Sequence, residues 1–189
     1  MQDLIIGLLQ FDQAWQNPQE NRNRIEYALK KQSSADLVVI PEMAFTGFSM
    51  NAEEHAEDWE KSESISWLKE QSLRHNTAFY TSLLIKSNGK FYNRGVFVSE
   101  GNVLAHYDKQ HLFAFAGEDA VFESGNNQTI VSFKGWKINP SKRRSMFFRN
   151  DQIAFIPPPT YNGERYSGKK YVAASGTISK AVMDSIEAV

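Results

Sequence analysis

The stretch DLVVIPEMAFTGFSM, Asp36 to Met50, sets four apolar residues in a row, Leu37 to Ile40, three of them β-branched. A short apolar run of this kind, stopped by Pro41, reads as a buried strand, expected over Ala35 to Ile40. A carboxylate, Glu42, follows the proline at once, and a second apolar stretch follows the carboxylate. An acid at the mouth of a buried strand has two readings. It is either a solvated loop residue, or an acid–base group at the carboxyl end of a sheet strand, where open α/β sheets bind ligands.

Working outward, Leu4 to Gln10 (LIIGLLQ) has the length and content of another buried strand. Between the two, Asn17-Pro18-Gln19-Glu20 carries a helix start: an Asn cap, Pro at the first helical position and Glu three residues after the cap. Ile25, Ala28 and Leu29 give that helix an apolar stripe, so the chain opens β-α-β with a parallel pair. A second helix is expected over Ser64 to Asn76 and a third strand over Ala78 to Ile85. Asn88-Gly89 then marks a hairpin turn. Strands over Phe91 to Val98 and Val103 to Tyr107 follow, then a hairpin of Thr129 to Phe133 with Trp136 to Ile138.

Bulk properties narrow the function classes. The 189 residues are 41% hydrophobic with a net charge of −1, which fits a globular domain with a real core and gives no overall bias toward nucleic acid or anionic membrane. No apolar run approaches the ~18 residues a membrane span needs. The N-terminus MQDLIIGLLQFDQ lacks a basic leader region, so a cytoplasmic location is expected by default. There are no cysteines, which removes disulfides, thiolate metal sites and cysteine catalysis from these residues.

The character of the chain changes near Asn139. From Ser141 to Val189 basic residues outnumber acidic ones two to one, beginning with Lys142, Arg143 and Arg144, whereas the preceding part is acidic. Pro157-Pro158-Pro159 fits neither a helix interior nor a sheet interior. The only elements the pattern supports here are a short strand, Gln152 to Ile156, and a terminal helix from about Ile178. The division expected is therefore 1–140 as one unit and 141–189 as a divergent or frameshifted basic tail. A solvated tail is the simpler reading of that composition; contact with an acidic partner or nucleic acid is the alternative.

The second informative stretch is YDKQHLFAFAGED, Tyr107 to Asp119. Lys109 lies just past a strand end, and Glu118 follows Gly117. Asp108 with His106 and His111 is a poor metal set on a non-periodic segment. Taken in order, LVVIPEMAFTGFSMN, FYNRGVFV, HYDKQHLFAFAGE and GWKI resemble the nitrilase (carbon-nitrogen hydrolase) superfamily, and within it the omega-amidase-like branch, over about Leu4 to Ile138. The resemblance implies an α/β fold, here an incomplete nitrilase-like α-β-β-α sandwich followed by a C-terminal tail to which the pattern assigns no fold. It implies hydrolysis of small 2-oxo acid amides with no cofactor and no metal, and a homodimeric assembly; no membrane or nucleic-acid partner is expected.

The resemblance also assigns roles. The PEM glutamate, Glu42, corresponds to the general base, the YDK lysine, Lys109, to the oxyanion-stabilising cation, and Glu118 to the second, supporting glutamate. A fixed ammonium in a dry pocket stabilises the oxygen anion that forms when an amide carbonyl is attacked. The family's nucleophile is a cysteine whose place falls near Arg143, and none stands there. Ser141 and Ser145 are nearby, but a hydroxyl beside a carboxylate base is a far weaker nucleophile than a thiol. The expectation is thus a carbon–nitrogen hydrolase truncated by a frameshift or rearrangement near Asn139 and catalytically impaired, the alternative being a non-catalytic binding protein on the same scaffold.

Overall fold

A computed structural model describes residues 4–31, 35–140, 154–156 and 171–173. The chain opens with β1 (Ile6–Leu8), α1 (Pro18–Leu29) and β2 (Leu37–Val39), and the two strands pair in parallel with Ile6 opposite Leu37, as the β-α-β reading requires. The Asn17 side chain accepts from the Glu20 amide at 3.1 Å, and Pro18 stands where its missing N–H costs nothing. Next come α2 (Ala52–His55), β3 (Glu57–Asp58), a 3₁₀ turn (Trp59–Lys61) and α3 (Glu63–His75). Helix α3 is capped by Ser62, which accepts from the Ile65 amide, and stops at Asn76 in the left-handed region.

Strands β4 (Ala78–Ser87), β5 (Lys90–Ser99) and β6 (Asn102–Asp108) then run antiparallel. A 3₁₀ turn (Ala114–Ala116) and α4 (Glu118–Val121) lead to β7 (Val131–Phe133) and β8 (Trp136–Asn139), and β9 (Ala154–Ile156) and β10 (Tyr171–Ala173) complete the strands. Three hairpins use the same local chemistry. Asn88-Gly89, Glu100-Gly101 and Lys134-Gly135 all hold both central residues at positive φ, the geometry whose twist matches that of the flanking strands.

The main sheet has the order β10-β1-β2-β4-β5-β6, with β3 beside the far end of β4, and β7-β8-β9 form a separate small sheet. Alternation along β4 and β5 divides the core. Phe79, Leu83, Ile85, Val96 and Val98 face α1 and α3, meeting Ile25, Leu29, Ile65 and Leu68. Tyr80 and Phe97 face the other way and pack under the β7–β8 hairpin with Val131, Phe133, Trp136 and Ile138. On that same face lie Ser82, Leu84, Asn93 and Gly95, and it is there that the site forms. Segment 124–129 covers the outer edge of β6: the Thr129 hydroxyl donates to the His106 carbonyl at 2.9 Å and the Gly125 amide to the Lys109 carbonyl at 3.1 Å.

The tail needs one correction. Sequence pattern allowed it a strand near Gln152 to Ile156 and a helix from Ile178. The structure keeps the first as β9 but adds β10, paired in parallel with β1 through Ile6 opposite Tyr171. Three residues bordered by loop chemistry are too short for periodicity to register, and the edge of β1 supplies the pairing that local sequence does not show. The expected helix from Ile178, the nucleophile's place near Arg143, and Ser141 and Ser145 lie outside the described residues. No helix among the described residues is long and apolar enough to cross a membrane.

Candidate active site

Glu42 lies three residues past the last residue of β2, in the loop at the carboxyl end of the strand. Its loop is held from both sides: the Ser82 hydroxyl of β4 accepts from the Met43 amide at 3.1 Å, and the Thr81 hydroxyl donates to the Pro41 carbonyl at 2.7 Å. The fully buried Asn21 of α1 bridges the same loop to the N-terminal segment, donating to the carbonyls of Phe45 and Ala14 at 2.7 Å each. These bonds fix Met43 at φ 47, a conformation that costs energy for a non-glycine residue and turns the Glu42 side chain across the sheet's inner face.

Lys109 follows β6, one residue past the ladder pair Arg94–Asp108. Its backbone is held at both ends, its amide donating to the Asn93 carbonyl at 3.0 Å and its carbonyl accepting from Gly125. Glu118 is the first residue of α4 and fully buried. The three side chains that sequence reading singled out converge from three separate elements. Lys109 Nζ lies 2.8 Å from Glu42 Oε1, 2.8 Å from Glu118 Oε2 and 3.1 Å from Glu118 Oε1. Phe48, from the loop after Glu42, places its ring 5.3 Å from the ammonium, within cation–π range.

The electrostatics follow from that packing. Burial pulls the Lys109 ammonium down, but the charges and hydrogen bonds of Glu42 and Glu118 outweigh it and hold the group above the ordinary lysine value of 10.5. Lys109 therefore stays cationic between the two glutamates. Tyr80, also on this face, is pushed up by burial first and then by Tyr107 and Glu42, so its phenol stays protonated.

One residue that sequence reading passed over belongs to the site. Asn93 of β5 stood inside the quoted FYNRGVFV without a role. The side chain is buried, and its Nδ2 donates to Glu42 Oε1 at 2.6 Å and to Glu118 Oε1 at 2.8 Å. The signal was an amide on a strand face whose neighbours are Phe91, Gly95 and Phe97. Asp108, by contrast, turns to the opposite face and forms a two-bonded ion pair with Arg94 at 2.6 and 2.9 Å, while the neighbouring His111 is exposed. No group of three metal-ligating side chains occurs among the described residues.

Gly125 makes a close approach that the position of Lys109 depends on. A Cβ there would overlap the Asp108 carbonyl, a backbone atom that cannot swing aside. Gly125→Ala is expected to cost about 1–3 kcal/mol through the forced backbone shift. In the amide spectrum, displacements should centre on residues 108 and 109; a variant with wild-type melting and an unmoved Lys109 amide would contradict this.

The comparisons with known proteins can be set beside this geometry. The pattern of the family described as carbon-nitrogen hydrolase matches residues 5–141. An omega-amidase, YafV, from Yersinia enterocolitica is 34% identical over 140 residues, covering 74% of this chain and 54% of its own. The 2-oxoglutaramate amidase of Bacillus subtilis is 29% identical over 135 residues, covering 70% and 52%. Among solved structures, XC1258 from Xanthomonas campestris, a CN-hydrolase superfamily protein with an arsenic adduct in its active site, aligns with a TM-score of 0.70 at 33% identity over 75% of this chain and 53% of its own. The chain spans about half the length of the curated relatives it matches. With a family match over most of its length and the same fold, the chain belongs to the carbon-nitrogen hydrolase family.

Proposed function

We propose that Glu42, Lys109 and Glu118 are the proton-transfer and charge-stabilising part of a small-amide hydrolase, with substrates of the 2-oxo acid amide class that the omega-amidase relatives suggest. The observation that carries this reading is the ammonium of Lys109 held within 2.8 Å of both carboxylates. Glu42 is the general base: it accepts the proton of an attacking nucleophile and returns it to the departing amine. Lys109 stabilises the oxygen anion of the tetrahedral intermediate. Glu118 holds Lys109 in place and offsets part of the cost of burying it.

These 189 residues hold no cysteine, so they supply no thiol for the attack. Loss of a nucleophile from a catalytic unit lowers turnover by about a million-fold. The reading is therefore a substrate-binding and charge-stabilising site with impaired turnover. Titrating the protein with 2-oxoglutaramate should shift the Lys109 Nζ signal in an NMR spectrum and saturate. Ammonia release should run about a million-fold below that of YafV assayed beside it. An undisturbed Lys109 signal would remove the substrate assignment. Release at a rate comparable to YafV, abolished by Glu42→Gln, would remove the impairment.

A further inference from the structure

The roles above leave Asn93 without a task, although it touches more of the site than Phe48 does. Its backbone carbonyl accepts from the Lys109 amide, and its side-chain nitrogen spans Glu42 Oε1 and Glu118 Oε1. An Asn flipped end for end would set its carbonyl oxygen against two carboxylate oxygens, so the donor orientation follows from the charges. Its own Oδ1 is buried without a partner among the described residues, a cost that a residue placed only for packing would not carry.

Counting donors oxygen by oxygen separates the two glutamates. Both oxygens of Glu118 are engaged: Oε1 by Asn93 and Lys109, Oε2 by Lys109 and by the Phe113 amide at 2.6 Å. Glu42 Oε1 receives two donors, Asn93 at 2.6 Å and Lys109 at 2.8 Å. Glu42 Oε2 receives none among the described residues. The carboxylate oxygen with fewer donors is the one on which a proton is better accommodated. We propose that Asn93 is a positioning residue that makes the two oxygens of Glu42 unequal, binding Oε1 into the cluster and reserving Oε2 as the proton acceptor. The inference rests on Glu42 being the general base.

Residue type matters here. An aspartate would bring a third carboxylate, a serine one donor and an alanine none. The charged and titratable groups facing Glu42 are Lys109 from the β6 loop, Glu118 from α4, Tyr80 from β4 and Tyr107 from β6. Arg94, Asp108 and His106 lie on the sheet's other face. None of these can replace the donor that spans both glutamates, since Lys109 is already committed to both.

The test is a pH titration of glutamate side-chain carbons by NMR in wild type, Asn93→Ala, Asn93→Ser and Asn93→Asp. Losing a hydrogen bond to the ionised form should raise the Glu42 midpoint in Asn93→Ala by about one pH unit. Asn93→Ser should fall between that and wild type. Asn93→Asp should recover part of the wild-type behaviour only under acid conditions, where its carboxyl is protonated and donates. A folded Asn93→Ala variant with an unchanged Glu42 midpoint overturns the proposal. Should Asn93→Ala not fold, Asn93→Ser is read in the same way, and failure of both to fold overturns it by making Asn93 a packing residue. The titration needs no substrate, so it stands or falls separately from the binding of 2-oxoglutaramate.

Discussion

Lys109→Met is expected to cost about 3–5 kcal/mol of stability near neutral pH, the penalty for leaving a buried charge without its partner. Methionine keeps most of the apolar stem, so packing against Phe48 survives and the loss isolates the ammonium. Glu118 has no solvent-exposed surface and Glu42 little, so two carboxylates would face each other across the gap. The pH dependence changes sign with the mutation. In wild type the Lys109 ammonium is held above 10.5, burial opposing and the two glutamates prevailing. Its contribution is fully present below 10.5 and is lost as pH rises through the higher folded value. The variant has no such alkaline loss. It should instead regain stability on acidification, as a proton on one carboxylate relieves the repulsion. Urea unfolding midpoints between about pH 4.5 and about pH 11 read both arms. Adding Glu42→Gln to Lys109→Met should recover part of the loss, because the two sites are in direct contact. Equal stability of Lys109→Met and wild type at neutral pH, with the same alkaline arm, would show that the cluster does not hold the fold together.

Most of the frame was legible because each piece is local. Pro41 after a β-branched run announces a strand end, Asn17-Pro18 a helix start, and Asn88-Gly89 a hairpin turn, and all three sit where the pattern places them. Glu42, Lys109 and Glu118 were legible through resemblance rather than physics: alone, each reads as an ordinary surface charge. What makes them a site is contact across 67 and 9 positions of sequence, set by the strand order β2-β4-β5-β6. Asn93 escaped for the same reason. Its partners lie 51 and 25 positions away, and a polar residue in a strand reads only as a break in alternation until the opposite face is known. Strand β10 was out of reach because its pairing partner, β1, is at the other end of the chain.

Arg94→Met should be nearly as costly as the lysine change, about 3–5 kcal/mol, and for a reason on the opposite face of the sheet. Arg94 meets Asp108 through two bonds, with side chains only 7% and 19% exposed. The guanidinium lies 4.6 Å from the Trp59 ring and 5.1 Å from that of Tyr92, so it is enclosed by aromatic surface as well as paired. The two residues are also ladder partners across β5 and β6, and each adjoins a site residue: Asn93 precedes Arg94, and Lys109 follows Asp108. Removing the cation strands the Asp108 carboxylate. It must then reach for water, and the end of β6 that carries Lys109 moves with it. The double change Arg94→Met with Asp108→Leu should recover most of the loss, since buried ion pairs are often replaceable by apolar residues of similar volume. His106 offers a readout independent of stability. Burial first, and Arg94 second, hold its imidazole below the usual 6.5, so removing Arg94 should move its titration part of the way back up while burial continues to act. His106 lies with its ring centroid 4.9 Å from that of Trp59, tilted by 57°, and so would report the change from beside the same cluster. A His106 midpoint that stays put in Arg94→Met, together with an unmoved Lys109 amide, would mean that the two faces of the sheet are independent and that the ion pair does not buttress the site.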